Sequence, residues 1–266
     1  MTLIDSHCHL DRVSLKPYGG DFPALMAETA AAGVSHMLCV SIDLEHYPRM
    51  RALVDPWPQV SVSVGVHPNE QHRREPSPGD LVELAADPRN VAIGETGLDY
   101  YRSSGELDWQ QARFRTHIAA ARACGKPLIV HTRDAREDTL AILRGEGARD
   151  VGGVLHCFTE SWEMARAALD LGFYISFSGI ITFANAEELR AVAARVPLER
   201  LLIETDCPYL TPAPYRGRPN EPRYVAQVAQ CIAGLRGLAT EEIAAATREN
   251  FFRLFQAARP AAETSG

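Results

Sequence analysis

The feature of this sequence that most constrains its fold is a regular alternation of short β-rich runs with longer helix-periodic runs. Seven helical or helix-like connections separate eight runs that are rich in β-branched and other apolar residues. Alternating βα units form a parallel sheet, and eight of them close a (β/α)8 barrel. The sequence therefore predicts an α/β fold of the (β/α)8 TIM-barrel class, with an open doubly wound sheet as the alternative. The predicted strands are residues 3–10, 35–42, 60–67, 91–98, 128–132, 153–158, 173–178 and 201–205.

Glycines mark the ends of several predicted helices. Gly33, Gly125 and Gly172 each follow a helix-periodic run, at the position where a left-handed residue commonly ends a helix. Two further helices, at about residues 222–234 and 240–256, would complete the outer ring and cap the barrel. With 266 residues and no repeat or linker, the sequence indicates one barrel domain, 1–256, followed by a flexible tail, 257–266.

Charge and cysteine content narrow the classes of function. The net charge of −7 argues against a broad basic surface for nucleic acid, although cations bound in an acidic cleft would supply positive charge locally. The six cysteines are scattered, without a CxxC pair, and neither a secretory signal nor an apolar run of about 18 residues is visible. We therefore expect a reduced, cytoplasmic enzyme that is monomeric and has no membrane segment.

Histidine and carboxylate side chains interrupt the predicted strands near their carboxyl ends. In a parallel barrel these ends meet at one rim, where side chains from different strands build the active site. The sequence therefore predicts a shared polar site at the C-terminal rim of the strands. Its members are His7, His9, His67, Glu95, His131, His156, Glu204 and Asp206.

Side-chain alternation separates the candidate ligands from neighbouring cysteines. His7 and His9 share one face of the first strand, whereas Cys8 between them points to the other face. The same reasoning removes Cys157, which follows His156. We therefore expect neither cysteine to bind metal.

The remaining donors suit divalent metal ions. Imidazole favours Zn²⁺ or Mn²⁺, and carboxylate also accepts Mg²⁺. One ion needs only about three protein ligands. A set of four imidazoles and at least two carboxylates therefore indicates two ions about 3.5–4 Å apart. Glu95 lies on the middle strand of the set and is expected to bridge them. Any single histidine could instead be a buried core residue whose hydrogen bonds are made within the protein. The metal-site hypothesis therefore depends on the joint occurrence of these histidines and carboxylates.

A series of short motifs, in order and over nearly the whole chain, resembles one known family. The motifs are DSHCHLD, GVHP, IGETGLDYY, VHTRDA, LHCFT, ISFSG, LLIETDCPYL, RGRPNEP and RENFFRLF. Together they resemble the TatD family of metal-dependent deoxyribonucleases, within the amidohydrolase-like metallo-barrels. The resemblance implies one ion held by His7, His9, Glu95 and Asp206, and a second held by Glu95, His131 and His156.

The resemblance also implies roles in catalysis. Two ions would lower the pKa of a bound water and neutralise charge on the phosphate oxygens. Asp206 would accept the proton of that water, so Asp206 and Glu95 are the predicted catalytic residues. His67, in the GVHP motif, would contact the substrate phosphate. Glu204 shares a face with Asp206 and would either orient His9 or hold a third, weakly bound ion.

Loop residues next to the rim are candidates for binding substrate. A base could stack on Tyr101 while Arg102 meets a phosphate, although ordinary loop packing would also explain both. Arg133 follows His131 directly and is better placed for a phosphate, and Asp99 is expected to fix the loop. A proline-rich segment after the eighth strand would either line the substrate cleft or anchor its loop to the barrel. The residues that would do so are Arg216, Arg218, Asn220 and Glu221.

Three functions compete on this evidence. The leading hypothesis is a divalent-metal hydrolase that cleaves phosphodiester bonds of DNA, as a 3′-5′ exonuclease on single strands. The alternative is a deacylase acting on D-aminoacyl-tRNA, or a hydrolase of another amide or lactone, because the same metal-activated water serves each reaction. A non-catalytic barrel that uses metal for stability is a remote third hypothesis.

Overall fold

The computed structural model describes residues 1–258 and places eight parallel strands in one sheet. Each strand is hydrogen-bonded to the next in sequence order, which confirms the predicted TIM barrel. A doubly wound sheet would reverse its strand order, and no reversal is present in residues 1–258. The strands are β1 (Leu3–Cys8), β2 (Val34–Cys39), β3 (Val60–Val64), β4 (Asn90–Asp99), β5 (Leu128–Arg133), β6 (Gly153–Leu155), β7 (Tyr174–Phe177) and β8 (Leu201–Ile203).

Helices follow the strands and form the outer ring. Gly125 caps the longest of them with left-handed backbone, and Gly33 and Gly172 also have positive φ after a helix, as predicted. Within the described residues no helix is both long and apolar enough to cross a membrane. The helices are α1 (Phe22–Ala31), α2 (Tyr47–Val54), α3 (Pro78–Ala85), α4 (Asp108–Cys124), α5 (Arg136–Gly145), α6 (Trp162–Asp170), α7 (Glu187–Arg195), α8 (Val225–Arg236) and α9 (Thr240–Leu254).

Two apolar layers build the core. The larger layer lies between the strands and the helices, and a smaller cluster of residues from the strands packs against α9. Phe251 and Phe255 are fully buried in that smaller cluster. Of the two residues of the predicted tail that the structure describes, Ala258 is buried in the same cluster and Ala257 is exposed. The rest of that tail, 259–266, lies outside the described residues.

Several strands end earlier than the sequence predicted. Strand β3 ends at Val64 and β8 at Ile203, so His67 and Asp206 lie in the loops that follow. His9 and His156 likewise come directly after β1 and β6. Asp206 has a φ of 55°, in the left-handed region that residues other than glycine rarely adopt. The alternation of faces therefore applies inside the strands and stops where most candidate ligands begin.

The barrel is closed between β1 and β8 largely by loop backbone and side chains. The N–H of His9 donates to the Cys207 carbonyl, and the N–H of Asp206 donates to the His7 carbonyl, each at 2.9 Å. Below them, buried Asp5 accepts from the N–H of Thr205 at 2.8 Å and from its hydroxyl at 2.5 Å. The first and last strands, and the candidate ligands they carry, are therefore held in one register.

Replacing Asp5 with alanine should destabilise the fold by about 1–3 kcal/mol, because two buried donors of Thr205 lose their acceptor. Urea denaturation followed by circular dichroism measures the loss. Thr205→Val is the matched variant, since it removes the hydroxyl and leaves the backbone bond. A midpoint for Asp5→Ala equal to that of the unaltered protein would contradict this account of the closure.

Candidate metal centre

The structure brings the six predicted ligands together at the C-terminal rim. His7 lies inside β1, Glu95 inside β4 and His131 inside β5. The other three ligands come after the ends of their strands: His9, His156 and Asp206. Gly97 allows β4 and β5 to approach here, because a Cβ at this position, where φ is 127°, would overlap the His131 carbonyl. All of the candidate ligands are buried or largely buried.

One group of donors surrounds Oε2 of Glu95. The Nε2 atoms of His7 and His9 lie 3.3 and 3.9 Å from this oxygen and 3.3 Å from each other. Oδ1 of Asp206 lies 3.7 Å from Nε2 of His7 and 3.4 Å from Nε2 of His9. We call these four side chains the first group.

A second group surrounds the other oxygen of the same carboxylate. Oε1 of Glu95 lies 2.7 Å from Nε2 of His156 and 3.3 Å from Nδ1 of His131. Nε2 of His67 lies 3.2 Å from this oxygen. Glu95 therefore presents one oxygen to each group, which is the arrangement expected of a bridging carboxylate.

Hydrogen bonds fix which nitrogen of each imidazole faces the centre. Nδ1 of His9 donates to the Val40 carbonyl at 2.9 Å, and Nε2 of His131 lies 3.1 Å from Oδ2 of Asp99. Each ring thus turns its other nitrogen toward Glu95, and a neutral ring would carry its lone pair there. Asp99 also accepts the N–H groups of Tyr101 and Arg102, so it fixes the loop as predicted.

Glu204 corrects one expectation from the sequence. Its Oε1 lies 3.2 Å from Nδ1 of His156 and accepts the N–H of Cys157, so it orients His156 and not His9. The reason is that β8 ends at Ile203, and the face that Glu204 takes is no longer set by strand alternation. Its Oε2 is buried without a partner in the described part of the chain.

The cysteines lie outside the donor groups, as predicted. Sγ of Cys8 faces the Leu38 carbonyl at 3.4 Å within the apolar core. Sγ of Cys157 lies 3.2 Å from the hydroxyl of Ser178. Neither thiol belongs to a cluster of donors close enough to share an ion in residues 1–258.

The charges of the centre are strongly coupled. Burial alone would raise the pKa of Glu95, but the surrounding imidazoles of His156 and His67 hold that pKa well below its usual value. Burial of His7 lowers its pKa, with a further decrease from His156, and its ring stacks on that of His156 at 3.9 Å. Glu95 is therefore ionised and His7 is neutral near pH 7, which are the protonation states that bind metal.

These residues fit divalent metal ions. The donors are borderline imidazoles and hard carboxylates, and nitrogens of His9, His131 and His156 are aimed at Glu95 from orientations set by their outer hydrogen bonds. Nδ1 of His7 is buried without a partner among residues 1–258, whereas its Nε2 faces the first group. Three clusters of donors are close enough to share an ion: one of His7, His9 and Glu95, one of His7, His156 and Asp206, and one of His67, Glu95 and His131. His156 therefore also lies near the first group, and His67 lies among the donors of the second.

A sequence profile for a family described as TatD related DNase matches residues 4–256. The chain belongs to the TatD family. The resemblance drawn from the motifs is thereby confirmed, and it extends over nearly the full length of the described structure.

Relatives within the TatD family agree on the general chemistry. The chain is 53% identical over 256 residues to YcfH of Escherichia coli strain K12, an uncharacterized metal-dependent hydrolase, with 96% of each chain covered. It is 35% identical to a 3′-5′ ssDNA/RNA exonuclease TatD of Edwardsiella piscicida, over 91% of this chain and 95% of that protein. The crystal structure of YjjV, a TatD homolog from Escherichia coli, covers 96% of this chain with a TM-score of 0.86 and 30% identity. This TatD-family protein is a metal-dependent hydrolase.

His67 is held more firmly than the sequence indicated. Its Nδ1 accepts the N–H of Asn69 at 3.0 Å, so the ring proton of neutral His67 is carried on Nε2. Its backbone is tied to α4 of the TatD barrel, because Arg113 donates to the His67 carbonyl at 2.9 Å. His117 accepts the N–H of Val66 at 2.9 Å. Arg113 and His117 went unnoticed in the sequence, although buried polar residues four apart on one helix face are a readable signal.

The predicted substrate-binding loop lies beside the second group. The guanidinium of Arg133 packs over the Tyr101 ring at 3.9 Å, and Arg102 is exposed. Tyr100 points away and donates its hydroxyl to Asp138, so the two adjacent tyrosines do not share a face. The loop is attached to the centre through Asp99, which accepts the backbone N–H groups of Tyr101 and Arg102 and contacts His131.

The proline-rich segment after β8 divides between the two roles that its sequence left open. Asn220 donates to the Thr205 carbonyl, and buried Glu221 accepts the hydroxyl of Tyr18, so these two residues pin the loop. Arg216 packs over the Phe183 ring at 4.0 Å, while Arg218 is exposed. Only the pinning role has direct contacts among the described residues.

We expect metal affinity of the TatD-family protein to rise with pH. Burial lowers the pKa of His9, His131 and His156, but neighbouring carboxylates outweigh it and leave each pKa above the usual 6.5. Binding an ion must displace these protons. Isothermal titration with Mn²⁺ should therefore show proton release and weaker binding at about pH 6 than at about pH 8.

The same shifts predict how the metal-free fold responds to pH. A raised histidine pKa stabilises the folded state below the unfolded value near 6.5, and this stabilisation is lost as the pH rises through the folded pKa. His7 and His67 have lowered pKa values and act in the opposite sense below about pH 6.5, so the melting temperature of the metal-free protein should fall only above that range, between about pH 7 and pH 8, while that of the Mn²⁺-loaded protein should not. Equal affinities and parallel melting curves at both pH values would contradict the assignment.

Proposed function

We propose that this protein hydrolyses phosphodiester bonds of DNA, as a 3′-5′ exonuclease on single strands, with two divalent ions in the centre. The observation that carries the proposal is the position of Glu95, whose two oxygens face separate sets of imidazoles. The relative from Edwardsiella piscicida, which is named as a 3′-5′ ssDNA/RNA exonuclease, supports the substrate class. Cleavage of the strand end follows from that name and not from the centre itself.

We assign the ligands to two ions as the resemblance implied. His7, His9 and Asp206 would hold one ion, His131 and His156 the other, with Glu95 shared. Bound Mg²⁺, Mn²⁺ or Zn²⁺ would lower the pKa of a water and offset the negative charge of the phosphate. The third ion at Glu204 stays a prediction, because Oε1 is used by His156 and Cys157 whereas Oε2 has no partner among the described residues.

Asp206 is the candidate proton acceptor. Its side chain is 13% exposed, against 3% for Glu95, so of the two carboxylates it is the one that water reaches more easily. Burial would raise its pKa, but hydrogen bonding to His9 and the positive charge of His156 lower the pKa below its usual value. An ionised carboxylate at the edge of the centre can take a proton from an attacking water.

Phosphate recognition falls to His67 and Arg133. Because Nδ1 of His67 accepts from Asn69, Nε2 carries the proton and donates, which suits a phosphate oxygen better than a metal ion. Burial lowers the pKa of His67 and keeps the ring neutral. Arg133 adds a guanidinium beside the second group, and Tyr101 and Arg102 extend the contact surface.

The test is hydrolysis by the metal-loaded protein compared with protein stripped by a chelator. A 3′-5′ ladder from a 5′-labelled single strand, restored after chelation by Mg²⁺, Mn²⁺ or Zn²⁺, is the expected result. D-aminoacyl-tRNA and a neutral lactone are assayed in parallel, because a deacylase or lactonase would use the same centre. Turnover of either with no cleavage of DNA would overturn the proposal.

Replacing His67 with alanine should weaken DNA hydrolysis by roughly 10- to 100-fold through KM, since a hydrogen bond to a charged group contributes about 1.5–3 kcal/mol. Metal content, measured by mass spectrometry, should remain at the value of the unaltered protein. Asn69→Ala keeps the backbone N–H that orients His67 and removes only a side-chain bond to Asp99, so it serves as the milder companion. Loss of one ion from His67→Ala would instead make His67 a ligand.

A further inference from the structure

Two tyrosines leave most of their side chains in solvent, and both flank the metal centre. Tyr101 is 63% exposed and Tyr209 is 51% exposed. The other six, all within the described residues, are buried, paired by hydrogen bonds or stacked on one another: Tyr18, Tyr47, Tyr100, Tyr174, Tyr215 and Tyr224. Aromatic side chains dominate interface energetics, so two exposed rings beside one polar site point to a ligand.

Tyr209 stands beside the first group on a fixed backbone. Its ring meets that of His9 edge-on, with 6.1 Å between centroids and 69° between planes. Its N–H donates to the Asp206 carbonyl at 3.0 Å, and its own carbonyl accepts from buried Asn220. The segment that supplies Asp206 therefore also fixes the place of an exposed aromatic ring.

Tyr101 stands beside the second group and is fixed by different contacts. Its N–H donates to Oδ1 of Asp99 at 3.1 Å, and Oδ2 of the same carboxylate contacts His131. Arg133 covers the Tyr101 ring at 3.9 Å. The two rings are thus attached to opposite groups of the centre through separate loops.

We infer that Tyr209 stacks on an unpaired base next to the scissile phosphate, and that Tyr101 stacks on a base at a different position along the strand. This rests on the proposed function. An aromatic ring can stack on any base, but only when that base is not paired in a duplex. With a net charge of −7, the protein gains less from a broad basic groove, so stacking supplies affinity that does not depend on charge.

The experiment measures steady-state cleavage of a single-stranded oligonucleotide by the metal-loaded protein. Tyr209→Leu should raise KM about tenfold with little change in kcat, and Tyr209→Phe should retain the KM of the unaltered protein. An abasic site at the matching nucleotide should raise KM for the unaltered protein and cause no further increase in Tyr209→Leu. Tyr101→Leu should become insensitive to an abasic site at a different nucleotide.

The outcomes separate this inference from the proposed function. An unchanged KM in Tyr209→Leu, or equal losses in the leucine and phenylalanine variants, would overturn the stacking role while DNA cleavage stands. If the unaltered protein cleaves no oligonucleotide, the proposed function fails. Quenching of 2-aminopurine in a phosphorothioate-protected strand then tests stacking by binding alone, and equal quenching by unaltered protein and Tyr209→Leu would overturn it.

Discussion

Replacing Glu95 with glutamine should lower hydrolysis by about 1,000-fold or more and reduce the bound metal. Both groups depend on this carboxylate, since Oε2 faces the first and Oε1 the second. Side chains that merely orient ligands are already worth about 10–100-fold in metal affinity or activity, so losing a shared anionic ligand should affect both ions at once. The amide also lacks the negative charge that balances the positive charge of the protonated imidazoles in the centre.

Metal content and activity, measured on the same preparation, test this expectation for Glu95→Gln. Glu160→Gln is a matched control, because it alters a salt bridge to Arg136 outside the two groups. Circular dichroism should report an unchanged fold in both variants. Two ions per chain and normal turnover in Glu95→Gln would contradict the assignment of Glu95 as the bridging ligand.

Replacing Asp206 with asparagine should have a different signature. A positioned general base contributes about 10²–10⁴-fold, so kcat should fall within that range. The first group loses one anionic donor, whereas the second group contains no atom of Asp206 and should keep its ion. KM for DNA should change little, because His67 and Arg133 are unaltered.

Activity, metal content and KM together separate the two roles of Asp206. Loss of an ion from the first group, with activity restored by high Mn²⁺, would show that Asp206 acts only as a metal ligand. Loss of turnover with both ions retained would mark a proton acceptor alone. Normal turnover in Asp206→Asn would contradict both assignments.

Much of the architecture is predictable from the sequence because its signals are regular. The spacing of apolar runs gave eight parallel strands, and the structure confirms them in sequence order. The candidate ligands were recoverable because His or Glu in an apolar run is costly to bury without a partner. His7, Glu95 and His131, which lie inside strands, needed only that argument and the convergence of strand ends.

Other features of the centre depend on backbone that leaves regular geometry. Cys157 and Asp206 have φ values of 43° and 55°, so neither the partner of Glu204 nor the direction of Tyr209 follows from a two-residue period. The setting of His67 depends on Arg113 and His117, which come from a helix about 50 residues away in sequence. Such contacts require the assembled barrel and cannot be read from a local pattern.

The closure between β1 and β8 has a consequence for biosynthesis. The ribosome makes His9 roughly 200 residues before Asp206, which at about 5–20 residues per second is a delay of about 10–40 s. During that interval Glu95, His131 and His156 emerge in turn, so the second group can assemble on the nascent chain. The first group can form only after Asp206 has been made, and we expect its ion to be the later of the two to bind.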